Sequence, residues 1–349
     1  MFSWIPLASA TLLFNLTPNS SMDSQALAGF QTAANRWASL LADSVTININ
    51  VNFITLGAGI LGQTSQSSST FNYSSLRTAI SSDAKSVSDA TAVGSLPLTS
   101  IPLYMNGTSD NPTGPGSLTP YLDNDGSANN NTVRITTANQ KALGLLAANA
   151  SGVDGSIAFN DTFAFDFDPT DGIEAGKFDF VGIATHEIGH TLGFESGVDV
   201  LDANSPGAGG PFASDQFTYV SPLDLFRFSD DATGALLGAR DWSADTRAKY
   251  FSIDGGNDLI TQFSTGQVHG DGRQASHWKD NLGIGILDPT AVPGDVLFIS
   301  AVDTQAMDVI GWDLVAAPEP GTAVLCGAAL VVAIYRRARR PAMQTEQLS

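Results

Sequence analysis

The chain predicts an α+β fold: a mixed β-sheet packed against helices, then a loop-rich C-terminal subdomain and a short transmembrane tail. Three observations predict it. Apolar residues recur at helical spacing in residues 24–42 and 178–194. They alternate strictly with polar ones from Val45 to Phe53. Between 195 and 276 small polar residues leave no sustained period.

In order, residues 1–22 open with the apolar run Ile5 to Phe14, which no Lys or Arg precedes. They read as a truncated leader running into a first strand. Residues 24–42 form a helix, because Leu27, Phe30, Ala33, Ala34, Trp37 and Leu41 share one side. Val45–Phe53 is a half-buried strand, and Ser74–Ala92 a second helix. Residues 105–132 are loop, dense in Gly, Asn, Asp and Pro. Val133–Thr136 is a short strand and Ala138–Ala147 a short helix. Gly155–Phe159 is another strand, placed where an edge strand can pair with an extended substrate. Asp166, Asp168 and Asp171 precede Gly172 and read as a solvated turn. Ca²⁺ is the alternative there, although the twelve-residue loop ending in glutamate is missing. Pro222–Phe228 is a helical turn or a strand, and Asp303–Trp312 a closing helix with Ala306, Val309 and Ile310 inward.

Lys and Arg number 16 against 35 Asp and Glu, a net charge of −19. Four of those cations, Arg336, Arg337, Arg339 and Arg340, crowd the C-terminus, so the body is more acidic still. That balance argues against nucleic acid as a partner. Cys326 is the one cysteine, so no intrachain disulfide forms.

The chemistry concentrates in His186-Glu187-Ile188-Gly189-His190-Thr191-Leu192-Gly193-Phe194. Histidines at i and i+4 lie on one helical face and can hold one Zn²⁺. A glutamate after the first histidine can reach a water on the metal's open side and take its proton. Val181, Ala184, Ile188 and Leu192 form the buried stripe beneath, and Gly193 sits where a helix ends in a left-handed residue. The compact form of this motif continues to a third histidine, but the position holds Ser196. The third ligand is therefore sought among Glu195, Asp199, His269 and His277. His277 fits best: Trp278 follows it, and then an apolar turn, Leu287-Asp288-Pro289, that can pass beneath a metal as a floor.

These residues resemble the metzincin clan of zinc endopeptidases, and within it the leishmanolysin-like branch. His186, Glu187, His190, Gly193 and Phe194 match its first block; Ser276, His277 and Trp278 match its second. Ile286, Leu287 and Pro289 match its floor turn, and Asp308, Gly311 and Trp312 its closing segment. The resemblance covers about residues 178–194 and 276–313. Leu287 replaces the clan's methionine, and the branch's disulfides are absent. His186 to Asp199 also looks like an exported bacterial zinc-peptidase-like group, in which the aspartate recurs. Asp199 is then a support to a ligand or an alternative ligand.

From Pro318-Glu319-Pro320 onward the tail resembles a Gram-negative C-terminal sorting signal (PEP-CTERM). Residues 321–335 carry no charge and the arginine cluster follows, as at a cytoplasmic membrane edge. The resemblance implies export, transient inner-membrane anchoring and processing by an exosortase-type enzyme. The mature body would then be secreted, or held at the cell surface, outer membrane or extracellular matrix.

The expected organisation is a leader (1–22), an N-terminal subdomain ending in the metal helix (23–194), a C-terminal subdomain with the third ligand (195–313) and the sorting tail (314–349). The expected function is zinc-dependent endopeptidase, with protein or peptide as substrate. One Zn²⁺ per chain is held by His186, His190 and His277, and Glu187 activates the water. The alternative is an inactive surface or matrix protein that keeps a structural zinc.

Overall fold

Alternation in the Thr46–Ile54 strand buries Ile47, Ile49 and Val51 on one face, and that face organises the main sheet. The computed structural model describes residues 12–20, 22–111, 120–205, 211–229 and 239–316. The first strand, β1 (Leu13–Pro18), leads through α1 (Ser24–Ala38) to β2 (Thr46–Ile54), which it pairs in parallel. Next come β3 (Gly62–Gln66) and β4 (Ser68–Asn72). Both are polar and half exposed, so neither shows an apolar alternation in the sequence.

Where the pattern predicts one helix over 74–92, two form: α2 (Tyr73–Asp83) and α3 (Val87–Ser95). Ser86 makes the break. Its hydroxyl accepts from the Asp89 N–H at 2.9 Å, and the Asp89 carboxylate accepts from the Ser86 N–H at 2.9 Å. This reciprocal cap starts a new helix. The stretch expected as loop, 105–132, begins at the end of β5 (Leu103–Met105) and holds β6 (Tyr121–Asp123) and α4 (Ala128–Asn131). Buried amides support it: Asn130 Nδ2 donates to the Ile101 carbonyl and Asn129 Nδ2 to Asp123. Polar composition there signals an internal network, which a reading for loops misjudges.

The strand β7 (Thr132–Thr136) pairs antiparallel with β4. The helix α5 (Thr137–Ala142) stops five residues before the expected Ala147. Then β8 (Gly155–Asn160) pairs with β2 in parallel and with β3 antiparallel, giving the order β1-β2-β8-β3. The strand expected at an edge is thus interior, and the edges are β1 and, beside α6, β3. A short parallel pair, β9 (Phe165–Asp166) and β10 (Phe178–Asp179), leads into α6 (Phe180–Leu192).

Helices α1 and α6 pack together on the sheet. Phe30, Phe159 and Phe180, one from each of α1, β8 and α6, meet with centroids 4.4–5.2 Å apart, Phe30 edge-on to the other two. Gly29 permits the approach, since a Cβ there would lie 2.5 Å from the Phe180 ring. Trp37 Nε1 donates to the Thr185 carbonyl at 2.8 Å and fixes the register of the two helices.

Beyond α6, the helix α7 (Val198–Asn204) is followed by β11 (Arg227–Phe228), β12 (Arg240–Asp241), β13 (Lys249–Phe251) and β14 (Thr261–Phe263). Pro222–Phe228 contains both expected forms, a 3₁₀ turn at Leu223–Phe226 and then β11. β12 pairs in parallel with β5, tying this half back to the first. The closing helix, α8 (Ala301–Val309), buries Ala306 and Val309, and Trp312 Nε1 donates to the Leu192 carbonyl at 2.9 Å. The described residues up to Leu314 form one compact unit. No helix among the described residues is long and apolar enough to cross a membrane. The expected span 321–335, the Pro318-Glu319-Pro320 motif, the arginine cluster and residues 1–11 lie outside the described residues.

Candidate metal centre

Helix α6 is built to hold its histidines still. Asp179 caps it, accepting the Gly182 N–H at 2.7 Å. Gly193 ends it at φ 119°, where a side chain would be strained. The predicted stripe of Val181, Ala184, Ile188 and Leu192 is fully buried. His186 and His190 project from the other side into a cleft of about 730 Å³.

His277 meets them there. The three Nε2 atoms form a triangle with edges of 3.0, 3.2 and 3.3 Å. Each Nδ1 faces a backbone carbonyl: Ile286 at 2.8 Å, Phe194 at 2.7 Å and Gln274 at 3.3 Å. A carbonyl only accepts, so each Nδ1 carries the proton and each Nε2 presents a lone pair. Three lone pairs converge with no proton between them, an arrangement that a cation relieves. Burial lowers the pKa of His186 to about 4 and of His190 to about 3, with the neighbouring His186 adding to the latter. Burial also lowers that of His277 well below the ordinary value. All three are neutral at pH 7 and close enough to hold a metal ion.

Glu187 lines the same cleft. Its Oε2 accepts from the Thr64 hydroxyl at 2.6 Å. Burial raises its pKa to about 7, against the pull of that hydrogen bond. Gly62 gives it room: a Cβ on this β3 residue would lie 2.9 Å from Glu187 Oε1.

The turn at Ile286 and Leu287 packs against α6. Leu287 packs against Gly189, and Ile286 supplies the carbonyl that orients His186. What holds the turn is Asp303. Buried in the first turn of α8, its carboxylate accepts from the N–H groups of Ile286 and Ser300 and from Trp278 Nε1, at 2.7–2.9 Å. The sequence held one signal for it, the Ser300-to-Asp303 spacing of a helix cap; its reach to the floor was not readable locally.

The other ligand candidates do not join the triangle. Asp199 Oδ1 accepts from the Ala275 N–H at 2.6 Å, and its Oδ2 from the N–H and hydroxyl of Ser276. It holds the backbone immediately before His277. Ser196 donates to Asp224 at 2.5 Å. His269 Nε2 lies 2.5 Å from the Ser205 carbonyl, away from the site. Glu195 lines the cleft and receives a hydrogen bond from Gln66. Two of the three aspartates considered for Ca²⁺ are otherwise engaged: Asp166 accepts from the N–H groups of Asp168 and Glu174, and Asp168 from Thr170. They form no metal-ligating cluster among the described residues. No protein-family model matches the chain, and no curated protein or solved structure does either.

Proposed function

We propose that the protein is an exported zinc endopeptidase of the metzincin-like type. The observation that carries the reading is the histidine triangle. At Zn–N distances of 2.0–2.1 Å, tetrahedral ligands stand about 3.3 Å apart, close to the edges found here. Three nitrogens leave the fourth position to a water or substrate, as catalytic sites do and closed structural sites do not.

A bound zinc would supply a lowered water pKa and a polarised peptide carbonyl. The chain's own residues do the rest. Glu187, lining the same cleft, would take a proton from the attacking water and return it to the departing amine nitrogen. Hydroxide thus adds to the carbonyl carbon, the C–N bond breaks, and the carboxylate ends unchanged. The outer edge of β3 offers unpaired main-chain groups beside Glu187, on which an extended peptide can lie. The Pro-Glu-Pro tail supports export and transient anchoring, with an exosortase-type enzyme as processing partner.

The test is hydrolysis of a broad peptide library by the full chain, wild type beside Glu187→Ala, with zinc measured on the same samples. Zinc in both and cleavage by the wild type alone is expected, with at least a thousandfold loss in the variant. Zinc in both and cleavage in neither would favour a structural zinc instead.

A further inference from the structure

The cleft carries a second carboxylate that catalysis does not use. Glu195 follows the end of α6, half-buried in the cleft wall. One of its oxygens, Oε2, accepts from Gln66 Nε2; Oε1 takes no hydrogen bond from the described residues. The cation whose charge reaches it, Arg134, does not pair with it: Arg134 Nε donates to Ser68 at 2.8 Å, and its guanidinium lies 5.2 Å over the Tyr219 ring. The cation in the cleft lining, Arg273, is tied to Asp280 at 2.9 Å. Glu195 therefore presents a carboxyl group partnered only by a neutral amide; burial and the nearby Asp224 raise its pKa to about 7, and a cation brought beside it would favour the ionised form.

Its position along the substrate path follows from the strand. Glu187 packs against Gly62 and Thr64 of β3, which places the reacting bond beside that end. Gln66, the last residue of β3, lies about 7 Å further along at the usual strand rise, and carries Glu195 with it. A peptide pairing antiparallel to β3, the commoner arrangement, runs its N-terminal residues towards Gln66.

We propose that Glu195, positioned by Gln66, forms a subsite for a cationic group on the N-terminal side of the scissile bond. The group is an ammonium or guanidinium, from a Lys or Arg side chain or from the peptide's own free amine. The subsite rests on the peptidase reading above.

The test uses the zinc-loaded full chain and peptide pairs with Lys or norleucine at each of three positions on either side of the cleaved bond, acetylated or free at the N-terminus. Wild type favours Lys on the N-terminal side by about tenfold in kcat/KM, as fits a partly desolvated charge pair. Within Glu195→Gln that ratio falls to near one, and within Glu195→Lys it inverts when Glu replaces Lys in the peptide. A preference confined to unblocked peptides identifies the terminal amine as the occupant; one that survives acetylation identifies the side chain. No preference in wild type, a preference on the C-terminal side, or a ratio unchanged in Glu195→Gln overturns the subsite. Binding of the same pairs to zinc-loaded Glu187→Ala separates the two readings. Absent turnover with a Glu195-dependent binding preference removes only the hydrolytic reading, whereas equal binding of both peptides removes the subsite.

Discussion

The two walls of the histidine cleft are held by different physics. On one side α6 presents His186, Glu187 and His190 from a helix whose own ladder, cap and buried stripe set their directions. On the other, His277 and Leu287 sit on irregular chain. Here buried or half-buried carboxylates replace the ladder: Asp199 grips Ala275 and Ser276, Asp303 grips Ile286, and Asp224 accepts from the Gly197 and Ser221 N–H groups at 2.9 Å. A helix orients ligands through neighbours in sequence. A loop needs an acceptor brought from far along the chain, and each such acceptor is a single point of failure.

The sharpest way to break this comparison is Asp303→Ala. Removing the acceptor strands the Ile286 and Ser300 N–H groups and Trp278 Nε1 in a buried site. The expected loss is about 3–5 kcal/mol in urea unfolding, the usual cost of breaking a buried charged network. Zinc affinity should fall with it, because the carbonyl orienting His186 belongs to the same turn. Retained affinity and a loss under about 1 kcal/mol would show that the floor needs no anchor.

A smaller and more selective effect is expected at Asp199→Asn. The amide can accept at one position but presents N–H to the other, so the chain before His277 loosens while α6 keeps its own supports. Zinc affinity should drop about 10- to 100-fold, as when a group that orients a ligand is lost. The far-UV helical signal should hold. Competition with a chromophoric chelator reads the first quantity and circular dichroism the second. Equal loss of both would mean that the walls are not separable.

The same division explains what the sequence could show. The metal helix, α1 and β2 were legible because their periods are local and their buried faces apolar. The strands β3 and β4 were not: Gly62-Gln63-Thr64-Ser65-Gln66 has no apolar alternation, and its place as an edge comes from pairing with β8, about ninety residues on. The triangle was reached through motif and resemblance, since nothing near His277 encodes its distance to His186. Asp303 escaped, and Glu195 reads in the sequence only as a possible metal ligand, because a carboxylate's role depends on what the fold sets opposite it.

Carboxylates crowded together, rather than surrounded by donors, supply the last and smallest contrast. Burial and the nearby Asp313 charge raise the pKa of Asp43 to about 7, and the same two causes raise that of Asp83 to about 6. Burial raises that of Asp308 to about 6 despite its bond from Ser86. A carboxyl whose folded pKa lies above its unfolded value binds its proton more tightly when folded. Its share of stability is therefore complete below about pH 4 and is lost as pH rises towards 7. Asp43→Asn removes the titration yet can still accept from the Asp313 N–H, which lies 2.9 Å from Asp43 Oδ2. The variant should match wild type at pH 4 and exceed it by about 1–2 kcal/mol at pH 8, with the gain appearing between pH 4 and 7. Urea midpoints measured across that range check both the sign and the window. A variant less stable than wild type at pH 8 would show that donors to Asp43, and not its crowded neighbours, decide its contribution, making it one more carboxylate of the kind that holds the cleft floor.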